Sequence, residues 1–115
     1  MTINEIKDLL SADVLCCTDQ LSREVHTACG SDMMSDVLAF VKDQAVLITG
    51  LNNPQVVRTA EMMDIICICF VRGKQPDQML IDLASEKGIV LMTTEAKMFE
   101  ACGLLYEKGL RGGKQ

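Results

Sequence analysis

Thiols are the most reactive groups in this 115-residue sequence, and there are six of them: Cys16, Cys17, Cys29, Cys67, Cys69 and Cys102. A thiolate ligates soft metals or carries redox chemistry, and structural metal sites gather such ligands through C-x-x-C spacing. That spacing does not occur here. Cys67 and Cys69 instead sit in the apolar run Ile65-Ile66-Cys67-Ile68-Cys69-Phe70-Val71, where a thiol serves as a small apolar side chain of a buried strand. Residues 1–7 read as the start of a helix and not as a secretion signal, so an even cysteine count does not imply disulfides. The expectation is reduced core thiols, with no metal and no cofactor; a metal or iron–sulfur carrier is kept as an alternative. The one histidine, His26, lies three residues before Cys29, and on a single strand those positions point to opposite faces. No G-x-S-x-G elbow, Walker A loop, G-x-G-x-x-G turn or H-E-x-x-H helix is present. The sequence therefore predicts no catalytic residues and no enzyme.

The remaining chemistry lies in short polar clusters. They are Gly30-Ser31-Asp32, Thr49-Gly50-Leu51-Asn52-Asn53, Arg72-Gly73 and Thr93-Thr94, each following an apolar run. In an open parallel sheet, ligands bind beyond the carboxyl ends of the strands, where helix starts offer backbone N–H groups to anions. Ser31, Asp32, Thr49, Gly50, Asn52, Asn53, Arg72, Gly73, Thr93 and Thr94 are thus candidate ligand-binding residues. Arg58, one turn after Asn53, is placed to reach the same rim. Helix capping explains each of these residues singly; only the cluster as a whole points to a ligand, of the nucleotide or phosphorylated-metabolite class.

The elements that would position this rim follow from periodicity. Thr2 and Glu5 form a capping box before an apolar face of Ile3, Ile6, Leu9 and Leu10. Strands are expected over 14–17 and 24–29, joined through Thr18-Asp19-Gln20. A helix opening at Gly30-Ser31-Asp32 turns Met34, Val37, Leu38 and Val41 inward. A strand over 45–49 precedes Asn53 and Pro54, an N-cap and first-turn proline for a helix facing inward with Val56, Val57, Ala60 and Met63. The strand over 65–71 is apolar on both faces and belongs at the sheet centre. Pro76 opens a helix with Met79, Leu80, Leu83 and Ala84 inward and Gly88 as its stop. A strand over 89–92 leads to a last helix, capped by Thr94 and running to Gly109 through Phe99, Cys102, Leu105 and Tyr106. Alternating strands and helices without polar alternation in the later strands indicate a parallel sheet covered on both faces. The fold class is α/β: one three-layer domain over 1–110, a mainly parallel sheet of about five strands, and a flexible tail over 111–115. The pairs Met33-Met34 and Met62-Met63 must each split between the core and an adaptable outer edge.

Composition limits the partners. Hydrophobic residues make up 49% of the chain and aromatics 3%, with no tryptophan, so the core is aliphatic. A net charge of −5 with 11 scattered basic residues argues against nucleic acid. No run is long and apolar enough for a membrane span, and a cytoplasmic location is expected.

Three stretches resemble the DRTGG domain family. They are the run from Gly30 to Leu38, the run Leu47-Ile48-Thr49-Gly50 with the following Asn-Pro-Gln-Val-Val-Arg-Thr-Ala-Glu-Met, and the ending Met98-Phe99-Glu100-Ala101-Cys102-Gly103-Leu104-Leu105-Tyr106. The resemblance covers nearly the whole chain. It implies a domain similar to the N-terminal domain of HPr kinase/phosphorylase, found beside CBS domains in pyrophosphatases and ahead of the transferase part of long phosphotransacetylases. Stand-alone copies accompany kinase-like and hydrogenase genes. The implied role is a non-catalytic regulatory or dimerising module, a homodimer that contacts a larger metabolic or kinase-type protein. In this sequence the family's Asp-Arg pair falls on Asn52-Asn53, and its Thr-Gly-Gly falls on Val71-Arg72-Gly73, with only the last glycine kept. Arg72 and Arg58 then supply the rim's positive charge.

Overall fold

Five strands hydrogen-bond in the order β1-β5-β4-β3-β2, in a computed structural model that describes residues 1–39 and 43–112. The strands are β1 (Asp13–Cys16), β2 (Thr27–Gly30), β3 (Ala45–Thr49), β4 (Ile65–Phe70) and β5 (Val90–Thr93). β2 through β5 run parallel, whereas β1 lies antiparallel along β5. β4 is therefore central, as its two-faced apolar sequence required, and every one of its residues is buried.

The helices divide between the two faces. α2 (Met34–Val37), α3 (Pro54–Met62) and α4 (Gln78–Lys87) cover one face, packing Val37, Val57, Leu80 and Ala84 against Leu47, Ile68, Phe70 and Leu91. α1 (Ile3–Leu10) and α5 (Met98–Glu107) cover the other, packing Ile3, Ile6, Ala101 and Leu105 against Ile48, Cys69 and Met92. Neighbouring strand residues alternate between these two cores, as in Ile68, Cys69, Phe70 and Val71. Each fully buried Ile, Leu or Phe contributes roughly 1.5–3 kcal/mol of hydrophobic stabilisation.

Local signals set most element ends. The Thr2–Glu5 capping box forms with both of its reciprocal hydrogen bonds. Asn53 accepts from the Gln55 N–H, with Pro54 in the first turn. Gly88 ends α4 in the left-handed conformation at φ +70°. The methionine pairs split as their spacing demanded, with Met34 and Met63 buried and Met33 and Met62 exposed.

Elsewhere the tertiary structure departs from the sequence pattern. Thr94 does not cap the last helix; its hydroxyl donates to the Leu10 carbonyl across the sheet at 2.7 Å, and Lys97 occupies the N-cap position. Pro76 is buried ahead of α4, and Asp77 is the residue that caps it, accepting from the Leu80 N–H. Met79 and Leu38, expected to face inward, are exposed, as are Phe99 and Tyr106 on the last helix. The helical period fixes a stripe but not its width, and α4 and α5 bury narrower stripes than expected, led by Leu80 and Ala84 and by Ala101 and Leu105. The strand expected over 24–29 is shorter, because Glu24 bridges Thr2 and the Val25 N–H bonds the Met1 carbonyl before β2 begins. Val41 lies outside the described residues.

At the C-terminus Leu110 is buried. The Arg111 carbonyl accepts from the Ala28 N–H on the free edge of β2, and its guanidinium stacks 3.8 Å from the Tyr106 ring centroid. Residues 113–115 of the expected tail lie outside the described residues. Among the described residues, no helix is long and apolar enough to cross a membrane.

Candidate functional site

Because β2, β3, β4 and β5 are parallel, their C-terminal ends open on one rim of the sheet. Asp32, just past β2, reaches the end of β3: its Oδ1 accepts from the Gly50 N–H at 2.6 Å and from the Thr49 hydroxyl at 3.1 Å. Thr49 Oγ1 in turn accepts from the Leu51 N–H while its proton goes to Asp32. Arg72, just past β4, lays its guanidinium over the same glycine. A Cβ on Gly50 would stand 2.5 Å from Arg72 Nη2 and 3.4 Å from Asp32 Oδ1. Asp32, Thr49, Gly50 and Arg72 thus form one cluster.

The backbone of Arg72 is left-handed at φ +59°, a conformation that side chains avoid. Two bonds hold it there, from the Arg72 N–H to the Ala96 carbonyl and from the Gly73 N–H to the Thr94 carbonyl. Gly73 follows at φ +67°, with the Glu95 carboxylate so close that a Cβ would lie 2.7 Å from its Oε2. The Arg72 side chain is exposed and takes part in no hydrogen bond or ion pair within 4 Å among the described residues. Its guanidinium donors face solvent beside Gly50.

The other candidates serve the backbone. The Ser31 hydroxyl closes a tight turn by accepting from the Met33 N–H. Asn52 donates to the Gln75 carbonyl, and Asn53 caps α3. Thr93 and Thr94 are buried, with their hydroxyls bonded to the carbonyls of Lys74 and Leu10. Arg58 is exposed on α3 without a polar partner among the described residues. Glu95 was not singled out from the sequence. Only its position across Gly73 brings it to the rim, and nothing in the local sequence signals that approach.

Cys102 Sγ stands against Gly30 at the end of β2, 2.5 Å from where a Cβ there would be. Burial pushes Cys67 well above the ordinary thiol range, Cys69 up to about 12 and Cys29 up to about 11. Cys17, beside Cys16, is also pushed up to about 11, chiefly by burial. All are protonated at neutral pH and poor nucleophiles. Among the described residues no three His, Cys, Asp or Glu side chains converge as metal ligands. His26 pairs through Nδ1 with Asp43 at 3.0 Å on the exposed surface.

On the opposite side of the sheet from α3, the outer face of α5 carries Met98, Phe99, Cys102, Gly103 and Tyr106 along an apolar groove. Beside it a cavity of about 120 Å³ lies between α5 and the edge of β2, lined by Ala28, Gly30, Ile48, Cys102 and Leu105.

The fold has a counterpart among solved structures. A crystal structure of the CBS and DRTGG domains of the regulatory region of Clostridium perfringens pyrophosphatase, complexed with the activator diadenosine tetraphosphate, superposes with a TM-score of 0.73 at 20% identity. The match covers 90% of this chain but only 45% of that one, so the shared part is less than half of the larger protein. At that identity the likeness shows the fold. No curated protein matches the chain significantly. The model of the DRTGG domain matches residues 5–107, nearly the whole sequence, and the chain belongs to the DRTGG domain family.

Proposed function

We propose that this chain is a non-catalytic regulatory module that pairs with a second copy of itself and docks onto a larger metabolic or kinase-type protein. The observation that carries this reading is the outer face of α5. The chain has three phenylalanines and one tyrosine, and two of the four, Phe99 and Tyr106, are 85% and 61% exposed on that one helix. Together they leave roughly 300 Å² of aromatic surface in water, comparable to the largest apolar patch of a typical monomer, which is often functional. Aromatic residues are the usual anchors of protein interfaces. The place of a DRTGG domain in the regulatory region of the pyrophosphatase supports a regulatory role. Six free thiols fit a reducing, cytoplasmic setting.

Light scattering on a gel-filtration column tests the pairing. At tens of micromolar the protein should show twice the 12.6 kDa of one chain. Phe99→Asp should give a folded single chain, since this side chain contributes nothing to the core. A wild-type mass of one chain would remove the homodimer.

A second reading, a sensor for a nucleotide or phosphorylated metabolite at the strand-end rim, is favoured by Arg72. A strained backbone that presents an unpaired guanidinium is kept most readily where the guanidinium has a task. The metal-carrier alternative draws no support from the thiols, since no three potential ligands converge among the described residues.

A further inference from the structure

We infer that the end of β3 is an oxyanion site which the chain fills with its own Asp32 carboxylate, and that a phosphate group enters by displacing it. The inference rests on the rim reading above and names its ligand and its competitor. Two donors of different kinds already converge on one oxygen: the Gly50 N–H at 2.6 Å and the Thr49 hydroxyl at 3.1 Å. The Thr49 hydroxyl donates its one proton to Asp32 while its oxygen accepts from the Leu51 N–H. A third donor stands over the same glycine. Arg72 Nη2 and Asp32 Oδ1 lie 2.5 and 3.4 Å from the point where a Gly50 Cβ would be, so a side chain at position 50 would displace the guanidinium. The cluster of N–H, hydroxyl and guanidinium is the donor set that a phosphate takes, and the glycine lets it approach the backbone.

Asp32 is suited to be displaced. It is exposed, and its recorded bonds to the rest of the chain are these two, with no ion pair to Arg72 within 4 Å among the described residues. It lies in the short segment between β2 and α2, outside both elements. A carboxylate brings one charge and two oxygens. A phosphate brings more of both, and so engages Arg72 as well as the two donors that Asp32 uses.

Inorganic pyrophosphate and inorganic phosphate are the probes, titrated calorimetrically into the wild-type chain, Asp32→Ala, Asp32→Asn and Arg72→Gly. Circular dichroism confirms that each is folded, and Asp32→Asn preserves the turn should the alanine variant fail to fold. Removing the internal competitor should tighten pyrophosphate binding about tenfold, as expected when a binding-competent state no longer has to be opened. Arg72→Gly should weaken it about tenfold, through loss of a charge-assisted contact. The Gly50 amide resonance should move on binding. Tighter binding of phosphate than of pyrophosphate would indicate a lone phosphoryl group, and the reverse a diphosphate; either supports the site. If wild-type binding depends on Arg72 but both Asp32 variants bind no more tightly, the rim reading stands and the displacement is overturned. If no variant binds either anion, both are overturned.

Discussion

Replacing Arg72 with glycine should stabilise the protein while removing a charged side chain from its surface. At φ +59° a residue with a Cβ carries about 1–2 kcal/mol of steric strain. The turn cannot relax it, because the Arg72 and Gly73 N–H groups are bonded to the Ala96 and Thr94 carbonyls at 2.9 and 2.8 Å. Glycine removes the strain but loosens the unfolded chain, which returns about 0.4–1 kcal/mol. The exposed guanidinium has no ion pair among the described residues, so its loss subtracts little. The net gain is about 0.5–1 kcal/mol, or roughly 2–5 °C in Tm for a domain of this size. Arg72→Ala is the control: it removes the same charge but keeps a Cβ in the left-handed region, so it should show no gain. Urea and thermal unfolding of the three proteins, under identical buffer, make the comparison. An Arg72→Gly protein that melts no higher than Arg72→Ala would refute the strain argument, and with it the inference that position 72 sacrifices stability for its guanidinium.

Asn53→Ala should cost about 1 kcal/mol through loss of the bond to the Gln55 N–H, read as a lower urea midpoint at unchanged slope. The buried thiols predict an alkaline weakness. Cys69 holds its proton up to about 12 in the folded chain but releases it near 9 when unfolded, so above pH 9 the folded state binds more protons and stability falls as pH rises. Urea midpoints at pH 8, 9.5 and 10.5 should decline, and Cys69→Ala should flatten part of that decline. The same thiol, with Cys67, should resist a thiol reagent until the protein unfolds.

Short-range signals made much of this molecule legible in its sequence. The Thr2–Glu5 box, the Asn53-Pro54 start and the Gly88 stop act within a few residues, so they give nearly the same answer in any context. The two-faced apolar run over Ile65–Phe70 marks an interior strand, since an edge strand leaves one side open to water, and β3 and β5 beside it are buried throughout as well. The methionine pairs split at the helix ends, Met33 just before α2 and Met63 just after α3. Other features depended on which elements become neighbours. No local pattern states that β1 turns antiparallel to β5, or that Thr94, rather than capping α5, donates to a carbonyl eighty-four residues earlier. The helical period reports which residues of α5 share a stripe; how far the sheet beneath it extends decides that Ala101 and Leu105 are covered while Phe99 and Tyr106 are not. The rim was likewise visible as small polar residues at strand ends. That Asp32 and Arg72 meet over Gly50, from eighteen residues before it and twenty-two after it, was decided by the parallel order β2-β3-β4 alone, since only adjacent strands bring such distant residues to one backbone N–H.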